Sequence, residues 1–158
     1  MALVPDIGIG IKPTDPSKLT AKKRIELNQR IPRALARAAQ KQIEIILDRL
    51  DEGKGLEGQL KPYSSSYLKL RQSRKPIDGE NPKFTDPSTV NLMWSGNMRG
   101  SITHRQSSKR AKIFFSRAAE AKKAAMLNKQ RPFFGFTKQD EKVLGRVFRN
   151  YLFKGFNR

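Results

Sequence analysis

The sequence predicts an α+β fold: a long N-terminal helix, a small antiparallel sheet and a C-terminal helix packed on it, with an extended N-terminal arm and long loops. Three observations predict it. An apolar stripe at steps of three and four runs from Ile31 to Leu50, two β-prone runs flank a polar turn at 106–109, and a second apolar stripe closes the chain after Thr137.

Residues 1–16 contain three prolines and two glycines without helical spacing, and read as an extended arm. The alternation Ile7-Gly8-Ile9-Gly10-Ile11 suits either a strand added to a neighbouring sheet edge or a frayed terminus. The remainder, 17–158, reads as a single domain. From Ser17 to about Glu52 the pattern is helical, started by Asp15-Pro16 and ended by Gly53. Ile31, Leu35, Ala39, Ile43, Ile46 and Leu50 form its stripe, and Pro32 is expected to kink or divide it, leaving 33–52 as the firm part. Lys22, Lys23, Arg24, Arg30, Arg33 and Arg37 load its first half and look outward.

Glycines and prolines then make 53–87 a long loop region, relieved by a short helix over Ser64–Arg74. Leu92 and Trp94 suggest a short strand, Ser95-Gly96 a junction, and Met98 to Ile102 a helical turn. Ile102–Arg105 and Arg110–Ser116 read as antiparallel strands around Gln106–Lys109. Arg117–Lys129 is an alanine-rich helix. Thr137-Lys138-Gln139-Asp140 has capping-box spacing, with Asp in place of the usual Glu. Val143, Leu144, Val147, Phe148, Tyr151 and Leu152 follow as a helical stripe closing at Gly155.

Composition narrows the function classes. Hydrophobic residues make up 37% and mean hydropathy is −0.67, so the core is small and a deep water-excluding pocket is not expected. The absence of cysteine excludes disulfides, thiolate metal sites and thiol nucleophiles, and the single His104 excludes multi-histidine sites. Met1–Ile11 lacks the basic flank and apolar run of an export signal, and no run approaches the ~20 apolar residues of a membrane span. Neither a P-loop nor a complete dinucleotide fingerprint is present, so no cofactor is expected. Asp78, Glu80 and Asp86 lie on a proline-broken loop that would hold an acid–base or metal site poorly, and His104 reads as a surface residue. No enzymatic activity is expected.

The net charge of +19 and a pI near 10.7 favour polyanions or simply keep an assembly subunit soluble. Residues 88–158 hold 16 basic and three acidic side chains, against 17 and 11 in 1–87. Lys109, Arg110, Lys112, Arg117, Lys122, Lys123 and Lys129 are spread over strands and helix, which fits attraction to phosphate better than a base-reading helix. The Arg131-Pro132-Phe133-Phe134-Gly135-Phe136 run suits core or interface anchors, or bases stacked beside cations.

Two segments together carry a family resemblance. Val90–Ile102 (VNLMWSGNMRGSI) and Arg131–Asp140 (RPFFGFTKQD), in that order, resemble the "Leu-x-Ser/Thr-Gly…Ser-Ile" and "Arg-Pro-Phe-Leu-Gly-Leu-Ser-x-x-Asp" elements of the tail-completion (virion morphogenesis) proteins of tailed bacteriophages, as in phage Mu and its relatives. The lysine- and alanine-rich helix 117–129 stands where that family has a different segment, so tail completion, tail terminator and head–tail connector all stay open as subtypes. The resemblance implies a non-catalytic virion protein of the phage neck or tail, made in the host cytoplasm. It implies a homo-oligomeric ring of six or twelve copies contacting other neck, portal-adaptor or tail-tube proteins, non-specifically touching double-stranded DNA in its channel, and no membrane. On it, Trp94, Met98, Phe133, Phe134 and Phe136 are candidate subunit-interface residues, and Lys109, Arg110, Lys112, Lys122, Lys123 and Lys129 candidate channel charge. The alternative is a small basic nucleic-acid-binding module, ribosomal-protein-like, using Phe133 and Phe134.

Overall fold

The apolar stripe at 31–50 folds as expected into α1, Ala21–Asp51, the first element of a computed structural model that describes residues 20–154. The arm at 1–16, the helix start at Ser17 and the stop at Gly155 lie outside the described residues. Thr20 caps the helix: its hydroxyl accepts from the Lys23 N–H at 3.4 Å and its carbonyl from the Arg24 N–H at 3.0 Å. Leu35, Ala39, Ile43, Ile46 and Leu50 are buried, while Lys22, Lys23, Arg24, Arg33 and Arg37 face solvent. Of the kink or division expected at Pro32, the division does not occur: α1 continues through it as one helix. Proline removes one backbone donor, and the carbonyl it frees belongs to the exposed Asn28, within reach of water. Gly53, at φ +70°, ends the helix by donating its N–H to the Leu50 carbonyl.

Among the described residues the chain forms two compact units, one of residues 45–102 and 115–135, the other of 20–44, 103–114 and 136–154. In the first, part of the expected loop region is a small antiparallel ribbon, β1 (Lys54–Gly55) and β2 (Gly58–Gln59), with Lys54 opposite Gln59. A side chain at Gly55 would start 2.2 Å from the Pro132 carbonyl oxygen, and Leu56 donates its N–H to that same oxygen. The short helix expected over 64–74 is α2, Ser65–Ser73, capped by the Ser64 hydroxyl and closed by Arg74 at φ +53°.

Arg71 of α2 is fully buried. Its guanidinium donates to the carbonyls of Pro87 (2.7 Å), Met93 (2.6 Å), Asp86 and Thr89, and lies 3.8 Å from the Phe84 ring centre and 4.7 Å from that of Tyr63. A stretch without regular structure thereby finds partners for its buried carbonyls in one side chain. The strand expected at 92–94 is absent. Leu92 sits at φ +52°, outside the extended region, and gives its N–H to the Tyr63 hydroxyl. Gly96, at φ +84°, opens the helical turn α3, Asn97–Gly100, so the junction falls at Ser95-Gly96 as expected.

The second sheet is the expected hairpin, β3 (Ile102–Gln106) and β4 (Ala111–Phe115), closed by the Ser107 N–H on the Arg110 carbonyl. The fold therefore has two small antiparallel sheets where one was expected. Helix α4, Ala118–Gln130, follows in the first unit. In the second unit α5, Lys138–Leu152, starts at a complete capping box in which Thr137 and Asp140 satisfy each other's backbone N–H groups. Leu144, Phe148 and Leu152 bury its stripe, and the Gln42 amide donates to Asp140 at 3.1 Å, joining α1 to α5.

Candidate functional site

Asp78-Gly79, at φ +50° and +76°, is a two-residue turn across which Ile77 and Glu80 exchange both backbone hydrogen bonds. The turn fixes Glu80. Its carbonyl accepts from the Trp94 indole N–H at 2.9 Å, and its carboxylate from the Ser95 hydroxyl at 2.5 Å and the Asn97 amide at 2.9 Å. The Ser95 bond and then the Asn97 bond hold this carboxyl below its ordinary value.

Around Trp94 the first unit opens a cleft of about 550 Å³. Tyr63, Tyr67, Leu92, Trp94 and Met98 line it together with Met126 and Leu127 of α4. The aromatic rings meet at angles: Tyr63 and Tyr67 edge to face at 5.0 Å, with Trp94 tilted against Tyr67 at 6.4 Å and against Phe84 at 5.5 Å. Burial pushes the Tyr63 phenol above its usual 10.0. The charges in the cleft are matched within the unit. Lys123 lies 3.2 Å from Glu120 and 4.0 Å from Glu80, Arg99 pairs with Asp51 at 2.6 Å, and Arg131 donates to the carbonyls of Lys61 and Pro62. The cleft offers an apolar, aromatic surface, with Met126 71% exposed at its edge.

The hairpin carries a different chemistry. The bonds Ser107 to Arg110 and Ser116 to Ser101 set a register that puts Arg105 across from Lys112 and Thr103 across from Phe114. Ala111, Ile113 and Phe115 are buried, so these four residues make the outward face. The Arg105 guanidinium lies 5.9 Å from the Phe114 ring centre. At the turn, the Ser107 hydroxyl accepts from the N–H groups of Lys109 and Arg110, and both side chains are exposed.

The candidate residues fall into three groups. Met98, Phe133 and Phe134 are 7%, 1% and 2% exposed and belong to the buried core of the first unit. The Asn128 amide oxygen accepts the N–H groups of both phenylalanines at 2.9 Å, and Phe134 lies 4.9 Å from Phe115. Trp94 and Phe136 remain half-buried. Of the six basic candidates, Lys109, Arg110 and Lys112 stand on the hairpin in the second unit, and Lys122, Lys123 and Lys129 on α4 in the first.

The three loop carboxylates do separate work. Glu80 is well held rather than loosely, Asp78 shapes its turn, and Asp86 accepts from Ser88 and Thr89, which lowers its carboxyl to about 2. Among the described residues no group of three or more His, Cys, Asp or Glu side chains is arranged to hold a metal ion, and no helix is long and apolar enough to cross a membrane. His104 is half-buried in β3.

Sequence reasoning missed Arg71, the role of Glu80, and the Arg105–Phe114 pair. The Asp78-Gly79 dipeptide between Ile77 and Glu80 is a hairpin-turn signal that would have located Glu80, and the two-residue phase of 111–115 would have put Lys112 and Phe114 on one face. Nothing local marks Arg71. Neither a protein-family model, a curated protein nor a solved structure matches this chain.

Proposed function

We propose that the chain is a structural virion subunit of a tailed bacteriophage, forming a homo-oligomeric ring at the neck or tail end through which double-stranded DNA passes. It acts as a tail-completion, tail-terminator or head–tail connector component, assembles in the host cytoplasm with neck, portal-adaptor or tail-tube neighbours, and performs no catalysis. The observation that carries this reading is the ordered pair of segments resembling the tail-completion family. Leu92, Trp94 and Met98 from the first and Arg131 from the second line the same cleft of one compact unit. An apolar cleft with its charges matched internally suits contact between proteins. The excess of cations suits weak, distributed attraction to passing phosphate, which holds DNA without stopping it.

The alternative, a small nucleic-acid-binding module that stacks bases on Phe133 and Phe134, loses its platform because both rings are buried. The test is native mass across protein concentrations, in low and high salt, with and without duplex DNA. A closed ring of six or twelve copies that forms without DNA supports the subunit reading. A monomer that moves tightly onto nucleic acid with a steep salt dependence overturns it in favour of the module.

A further inference from the structure

From Ser88 to Ala119, 32 consecutive residues carry six cations and no carboxylate. Four of the six are Arg105, Lys109, Arg110 and Lys112, gathered by the hairpin onto its outward face and turn. Arg105, Lys109 and Arg110 are exposed, so their charge is open to a polyanion laid along the hairpin. We infer that the β3–β4 hairpin is the duplex-DNA contact of this protein, engaging the phosphate backbone through Arg105, Lys109 and Arg110. The inference deepens the reading proposed above by naming the element that touches DNA, but it does not depend on ring formation.

Several features select a duplex backbone over other polyanions. Two five-residue strands of ~3.4 Å per residue make a ribbon about 17 Å long, and a two-stranded ribbon is an element the roughly 12 Å major groove admits. Phe114, the only aromatic ring on the outward face, already lies under the Arg105 guanidinium, which removes it as a platform for unpaired bases. The proposed contacts of Arg105, Lys109 and Arg110 go to phosphates, and phosphate contacts position a protein on the duplex without reading its sequence. On α4, Lys123 differs in surroundings, since it is paired with Glu120 and Glu80.

The experiment measures binding of a short fluorescent duplex by anisotropy across a salt series, with native mass recorded on the same samples. Replacing Arg105→Gln, Lys109→Ser and Arg110→Ser together is expected to flatten the slope of log affinity against log salt by about 2–3, near 0.9 per lost phosphate contact. Lys122→Ser with Lys129→Ser is expected to leave the slope in place. Two unrelated duplex sequences should bind alike, and a single strand of equal length more weakly.

A full slope in the hairpin variant, an α4 variant that loses as much slope per removed charge, or tighter binding to the single strand overturns the inference. If the triple variant fails to fold, Arg110→Ser alone at the exposed turn reads about one unit of slope. The two readings fail separately. A protein that stays monomeric yet loses its slope with the hairpin keeps this inference and sinks the ring, and a ring whose slope ignores the hairpin does the reverse.

Discussion

In the unit of residues 45–102 and 115–135, 14 basic side chains meet eight acidic ones; in the unit of residues 20–44, 103–114 and 136–154, 16 meet four. The first spends its polar groups inward. Arg71 holds four carbonyls, Glu80 holds Trp94, Ser95 and Asn97, and Lys123 stands between two carboxylates. The second builds its fold from the apolar stripes of α1 and α5 and one capping box, and turns most of its cations to solvent. Both units bury an apolar core, but in the first the irregular segment around Arg71 and Glu80 also hangs on specific polar contacts, whereas the second carries the larger excess of charge.

Replacing Arg71 should break the first unit hardest. Arg71→Met keeps the bulk but strands the carbonyls of Pro87 and Met93, and should cost on the order of 3 kcal/mol or more in chemical denaturation. Hydrogen exchange should place the loss in 45–102 and 115–135; an effect spread evenly over α5 would erase the contrast between the units.

Glu80 comes next. Glu80→Gln removes a charged acceptor from Ser95 and Asn97 and should cost about 1–2 kcal/mol. Because its carboxyl is lowered in the folded protein, its contribution is present above the ordinary value of 4.5 and disappears as pH falls through the lowered one. Asp86 acts in the same direction, present above 3.8 and lost as pH falls through about 2. Thermal melts of wild type and Glu80→Gln should therefore converge on acidification, and curves that stay parallel down to pH 2–3 would remove Glu80 from the account.

The smallest effect belongs to the second unit. Thr137→Ala opens the capping box of α5 and should cost about 1 kcal/mol, with no change in Trp94 fluorescence. A cost equal to that of Arg71→Met would show that the second unit leans on polar detail as heavily as the first.

The same division explains what could be read in advance. The stripe of α1, the hairpin, α4 and the Thr137–Asp140 box are local signals with a short period, and they fold where the sequence puts them. What escaped depends on distant partners. Gly55 must meet Pro132, Leu92 must turn to φ +52° to reach Tyr63, and Asn128 must reach the two N–H groups that draw Phe133 and Phe134 into the core. The candidate site was legible as a list of types, a tryptophan, methionines and lysines, but not as a grouping. The sequence halves divide charge at residue 87, whereas the fold assigns the α4 lysines to the unit that holds most of the carboxylates.

Arg71 has one more consequence, for where the chain can change length. Loops ordinarily absorb insertions at small cost, since closing a slightly longer one is entropically cheap. Between Asp86 and Met93, however, four carbonyls must arrive at a single planar fork with fixed directions. One added residue would slide the later carbonyls past the fork, as a register slip does in a sheet. A segment with no helix or strand in it thus has a length as strictly counted as that of any strand.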